Sequence, residues 1–166
     1  KRFARDMFLF SFYTRGMAFV DMAYLQKKNL KDNVLTYRRK KTGQLLSIRW
    51  EDCMKNIVDQ YSSSSSPFLL SIIKEPTGNT RKQYHNALTL INHNLKAIGK
   101  ELGLTLPLTM YVARHSWASI ARDEGIPISV ISEGMGHDSE STTQIYLASL
   151  ETQVIDNANK KILKLL

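Results

Sequence analysis

Between Thr109 and Tyr146 the chain sets an arginine–histidine pair in TMYVARHSW, a glycine-flanked histidine in GMGHD, and a tyrosine nine positions after that histidine. No other stretch constrains the fold as much, because its capping and turn residues divide it into successive local structures. Thr109 is placed as an N-cap for a helix reaching Glu124, with Gly125 past its end and Pro127 near the start of the next helix. Gly134-Met135-Gly136 then makes a turn that lets backbone approach a ligand closely. On a helical wheel Tyr111, Arg114, His115 and Ala118 share one face, while Ala113, Trp117 and Ile120 are expected opposite as the core stripe.

The rest of the chain reads as mostly helical with a small antiparallel sheet near its beginning, an α+β class. Phe3, Met7, Phe10 and Tyr13 recur at helical spacing over Arg2 to Tyr13. Gly16 interrupts, and Phe19, Val20, Ala23 and Tyr24 mark a second helix. Leu35 and Tyr37 alternate before a Lys41-Thr42-Gly43-Gln44 turn, and Leu46, Ile48 and Trp50 alternate after it, which predicts a hairpin over Val34 to Trp50. A helix is expected from Glu51 to Tyr61. The serine run Ser62 to Ser66, ending at Pro67, is a loop. Phe68 to Ile73 is apolar and of undetermined type. Leu88, Ile91, Leu95 and Ile98 line one face of a long helix over Arg81 to Leu102, closed by Gly103.

Composition narrows the class of partner. The 166 residues suit one domain with a real core. A net charge of +8 and a pI near 9.6 favour a polyanionic partner, nucleic acid or an anionic membrane face. Cys53 is the single cysteine, so an internal disulfide and a cysteine-rich zinc site are excluded. Four histidines without His-x-x-x-His or Glu-x-x-His spacing argue against a metal centre. No apolar run approaches the roughly 18 residues that span a bilayer. The chain opens on Lys1 without a signal peptide, so the expectation is a fragment of a longer intracellular protein.

The segment carrying Arg114-His115, Gly136-His137 and Tyr146 resembles the active-site region of the tyrosine recombinases, the integrases of phages and of integrative and conjugative elements. In that family the pattern is roughly His-x-x-Arg-His, then Leu-Gly-His, then nine residues to a nucleophilic tyrosine. The resemblance runs from about Arg2 to Leu150 and is most specific between Arg114 and Tyr146. It implies the DNA breaking-rejoining catalytic-domain fold. The implied function is that of a site-specific recombinase, most like mobile-element integrases of Bacteroides-type bacteria, acting through a 3′-phosphotyrosine. The phosphotyrosine conserves the ester bond and arginines neutralise the phosphate, so neither ATP, cofactor nor metal is required.

The roles carry over residue by residue. Arg114 is the phosphate clamp, its planar fork matching two phosphate oxygens and charged at any relevant pH. His137 donates to a phosphate oxygen or helps move the tyrosine proton. Tyr146 is the nucleophile; read alone, between Ile145 and Leu147, it is a core aromatic. Lys41, within Arg38-Arg39-Lys40-Lys41-Thr42-Gly43, matches the family's hairpin lysine that enters the minor groove and protonates the leaving 5′ oxygen. Read alone, that basic turn is simply solvated. Arg38, Arg39 and Lys40 are expected to contact DNA, within a wider basic surface that includes Lys27, Lys28, Lys31 and Arg49.

Two positions depart from the family. Its first arginine belongs to a Gly-Leu-Arg-x-x-Glu-Leu pattern, and this chain has Ala18 there. Arg15, three residues earlier, is the candidate to replace it. Tyr111 stands where the first histidine belongs; a phenol donates a hydrogen bond but carries no positive charge. His115 is expected to pack behind Arg114. Both departures also fit a non-catalytic DNA-binding protein on the same fold. The resemblance further implies double-stranded attachment-site DNA, a homotetramer on two duplexes, accessory DNA-bending proteins, a cytoplasmic bacterial setting, and an N-terminal helical DNA-binding domain lying outside this chain. Glu151 to Leu166 suits an amphipathic helix, packed in cis or on a neighbouring subunit.

Overall fold

The computed structural model describes residues 1–137, 139–147 and 163. The first helix, α1 (Arg2–Tyr13), forms because Met7 and Phe10 meet the core with no exposed surface. It stops where Thr14 turns its hydroxyl back onto Phe10 O at 2.7 Å. Arg15 and Gly16 then both take left-handed backbone, at φ 61° and 70°. For Arg15 that conformation costs about 1 kcal/mol or more. Ser11 anchors the reversal, accepting from Gly16 N at 2.8 Å and donating its hydroxyl to Met17 O at 2.8 Å.

A short helix α2 (Phe19–Ala23) leads through a 3-10 turn (Lys27–Asn29) into an antiparallel sheet of three strands. These are β1 (Leu30–Lys31), β2 (Val34–Arg38) and β3 (Leu45–Arg49). Leu35 faces Ile48 and Tyr37 faces Leu46 across the β2–β3 ladder, and all four are buried, as the alternation requires. The hairpin follows the expected boundaries. β1 was not expected; Asp32 and Asn33 make its tight turn, both at positive φ (51° and 57°), the geometry of hairpin loops that match strand twist.

The remaining helices are α3 (Asp52–Tyr61), α4 (Thr80–Glu101), α5 (Met110–Asp123), α6 (Ile128–Met135) and α7 (Glu140–Leu147). Between α3 and α4 the undetermined apolar stretch is deeply buried, with Leu70 and Ile73 at 1% and 0% exposure. Its described order is a single bridge from Phe68 to Gln26. α1 packs on α3, α4 and α5. Two apolar clusters result. The larger joins α1, α2, the sheet, α3 and α4, and the smaller holds Ala118, Ile131, Met135 and Leu147 of α5, α6 and α7.

The helical-wheel reading of α5 needs correction. Ile120 is half exposed and outside the core, whereas Arg114 and Ala118 are buried beside Ala113. The helix is gripped from two sides, by α1 and by α6, so its active and packing faces overlap. Thr109 also makes no side-chain cap; Asn92 Oδ1 of α4 accepts from Met110 N at 2.9 Å instead. The proposed tail helix from Glu151 lies outside the described residues apart from Leu163. No described helix is long and apolar enough to cross a membrane.

Candidate active site

Beside the larger cluster, next to Met17, Phe19 and Met110, a cavity of about 450 Å³ opens. It is lined from α2 by Asp21, from the β2–β3 hairpin by Arg39, Lys41 and Thr42, and from α5 by Tyr111 and Arg114. His137 and Thr142 also line it. Arg39, Lys41 and Arg114 give it three permanent cations against one carboxylate, Asp21, among the described residues. Charges gathered at one cleft raise the local concentration of an anion.

Arg114 is held at 6% exposure. Its Nη1 donates to Gly16 O at 2.7 Å, and its Nη2 donates to Met135 O at 2.7 Å and meets His137 Nε2 at 2.9 Å. A guanidinium is only a donor, so His137 Nε2 accepts. The proton of His137 therefore sits on Nδ1, which donates to Thr143 Oγ1 at 2.6 Å. Thr143 is fully buried in α7. These contacts fix a neutral imidazole whose lone pair faces the arginine. Gly136 makes them possible: it ends α6 in the left-handed conformation at φ 65° and lets the chain reverse into His137.

The hairpin residues divide. Arg38 Nη1 folds back onto Gly43 O at 2.5 Å, and Lys40 Nζ sits 4.2 Å from the Tyr24 ring centroid, so both stay on the exposed outer flank. Lys41 is exposed and borders the cavity. Arg39 is not part of that outer basic face; it is 7% exposed and its Nη1 donates to Gly136 O. Lys40 N donates to Asp21 Oδ1 at 2.8 Å, pinning the hairpin to α2. Burial raises the Asp21 carboxyl above its ordinary value, while the Lys40 amide and the charges of Arg39 and Arg114 pull it back. Burial, then the Asp21 charge, pushes the neighbouring Tyr37 phenol well above its usual range.

Tyr111 is 61% exposed on the cavity rim, its ring edge-on to His115 with centroids 4.5 Å apart. Burial, then the charge of Arg114, lowers the His115 pKa. Arg15 does not border the cavity. Its stem lies against α6, with Cδ 3.8 Å from where a Gly134 β-carbon would stand. Ala18 does border it. Tyr146 belongs to α7, the helix that carries Thr143; its side chain lies outside the described residues. Of the residues singled out in the sequence, Arg114, His137, Lys41 and Tyr111 line this one cavity. Sequence reasoning missed Thr143 and Asp21, although Asp21 falls on the glutamate of the Gly-Leu-Arg-x-x-Glu-Leu pattern.

A helical domain with a small hairpin sheet, arranged in this way, is the catalytic-domain fold of the tyrosine recombinases. The XerH site-specific recombinase, in a post-cleavage complex with a palindromic difH substrate, superposes with a TM-score of 0.65 at 17% identity, over 93% of this chain and 45% of that one. A lambda integrase tetramer bound to a Holliday junction gives a TM-score of 0.60 at 15% identity, over 87% and 42%. The sequence model of the phage integrase family matches residues 12–153, and the chain belongs to that family. Tyrosine recombinase XerD of Listeria innocua is 30% identical over 102 residues, 54% of this chain and 31% of that protein. The chain therefore spans about a third of the length of that relative.

Proposed function

We propose that this domain cleaves and rejoins DNA strands as the catalytic part of a site-specific recombinase that integrates or excises a mobile element, of the Bacteroides type that its sequence resembles. The observation that carries the reading is the Arg114–His137 pair, set by backbone carbonyls at the wall of a basic cavity that Lys41 also lines. In the proposed reaction Tyr146 Oη attacks phosphorus and the P–O5′ bond breaks, leaving a 3′-phosphotyrosine and a free 5′-hydroxyl. Arg114 and the Tyr111 hydroxyl donate to non-bridging oxygens. His137, once the phosphate draws Arg114 away, accepts the phenolic proton at Nε2. Lys41 gives its proton to the departing O5′. Rejoining runs the same steps backward.

The natural substrate in this reading is a pair of double-stranded attachment sites bridged by a homotetramer, with accessory bending proteins, in the bacterial cytoplasm. Arg38 and Lys40 hold the flanking backbone. The N-terminal DNA-binding domain of the family would complete the grip on the duplex, and the stretch from Glu151 would dock in cis or on a neighbour. A second reading, a catalytically impaired DNA-binding protein, draws on Ala18, which places a methyl group on the cavity wall where the family pattern has an arginine.

A nicked suicide substrate separates the two. The chain should form a denaturant-resistant covalent adduct with DNA. Tyr146→Phe should form none while binding DNA within about twofold of the parent, because only the attacking oxygen is lost. An adduct that survives Tyr146→Phe assigns the nucleophile elsewhere; none with the parent chain favours the impaired reading.

A further inference from the structure

We propose that Arg39 supplies a second guanidinium to the scissile phosphate, in the place that the chain leaves to Ala18. This deepens the recombinase reading and rests on it. The attacked phosphorus gathers negative charge on its non-bridging oxygens, and one clamp that already spends two nitrogens on backbone carbonyls leaves part of that charge unmet.

Arg39 is built for the task in four respects. Arg39 is 7% exposed yet borders the cavity. Its Nη1 donates to Gly136 O while Arg114 Nη2 donates to Met135 O, so consecutive carbonyls at the end of α6 bring the two guanidiniums side by side. Those carbonyls are the unpaired, negative end of a helix, which offsets the repulsion of two neighbouring cations. Its Nε has no hydrogen-bond partner among the described residues. A buried cation left partly unsatisfied is costly unless an anion arrives to complete it. Thr42 Oγ1, on the same hairpin and the same cavity wall, is likewise buried and unpartnered.

Gly136 makes the room. A β-carbon there would lie 3.2 Å from Arg39 Cδ and 2.9 Å from Leu46 Cδ1. Arg15, by contrast, lays its stem against Gly134 and is not among the lining residues.

The test is adduct formation on a suicide substrate with either a normal scissile phosphate or a neutral methylphosphonate. Removing the charge removes the need for a cation that neutralises it. Arg39→Met should be slowed at least about 100-fold on the phosphate and return to within about fivefold of the parent on the methylphosphonate. Arg39→Lys should show a smaller loss with the same recovery, and it decides the matter if the methionine variant does not fold. Arg15→Ala should stay within about threefold of the parent on both.

A variant slowed equally on both substrates, with a lowered melting temperature, would make Arg39 only a cap for α6. Full activity of both Arg39 variants on the phosphate overturns the assignment, as does loss and recovery confined to Arg15→Ala. Absence of any adduct from the parent chain is a different failure: it removes the recombinase reading, and this proposal with it.

Discussion

A β-carbon on Gly16 would stand 2.8 Å from Cα of Arg114 and 2.9 Å from its Cγ. The loop after α1 therefore touches α5 at Arg114, the residue proposed to grip the phosphate, and Gly16 O accepts from its Nη1. Gly16→Ala meets both the φ of 70° and a backbone atom that cannot yield alone. The substitution should cost about 2–4 kcal/mol in denaturant unfolding and weaken cleavage more than DNA binding. Gly103→Ala is the control: the same φ of 70° with open space around it should cost only about 1 kcal/mol.

Lys41 is distinguished from Arg114 by a substrate whose 5′ bridging oxygen is sulfur. A thiolate leaves without protonation, so Lys41→Ala should be slow on ordinary DNA and largely recovered on the thio-substrate. Arg114→Ala should not recover, because stabilisation of phosphorane charge is still missing. Recovery of both variants, or of neither, contradicts this division of labour.

Thr143→Val preserves shape but removes the acceptor for His137 Nδ1–H, bonded at 2.6 Å. A buried donor then loses its partner, which costs about 1–3 kcal/mol of stability, and the imidazole loses its fixed tautomer. Cleavage should fall by about tenfold, with Thr143→Ser close to the parent. A serine variant as slow as the valine one would mean that packing, not the hydrogen bond, sets the histidine.

His115 offers a pH test. Its folded pKa lies below the ordinary 6.5, first through burial and then through Arg114. The unfolded chain therefore binds the proton more readily. Stability from this site is complete above pH 6.5, declines as pH falls from there toward the folded pKa, and levels off below it. His115→Phe should remove that slope, and the ring should titrate below 6.5 by NMR. A midpoint above 6.5 would contradict the assigned surroundings.

Much was determined by the sequence by itself. Leu35, Tyr37, Leu46 and Ile48 declare their strands because alternation is a local property of the pleat, and Met7 and Phe10 declare α1 through helical period. The intervals linking Arg114, His137 and Tyr146 belong to one continuous segment, so the active-site pattern survives without any structure. Tertiary packing decided what periodicity cannot encode. Arg39 looks like one more residue of a basic turn until Gly136, 97 positions away, takes its Nη1 and buries it. Gly16 reads as a helix breaker until Arg114, 98 positions away, fills the space its side chain would need. Ile120 reads as core, but the neighbours of α5 lie along Arg114 and Ala118 instead. Burial and charge pairing depend on which distant surfaces meet, and a hydrophobic pattern read along one helix holds no record of its neighbours.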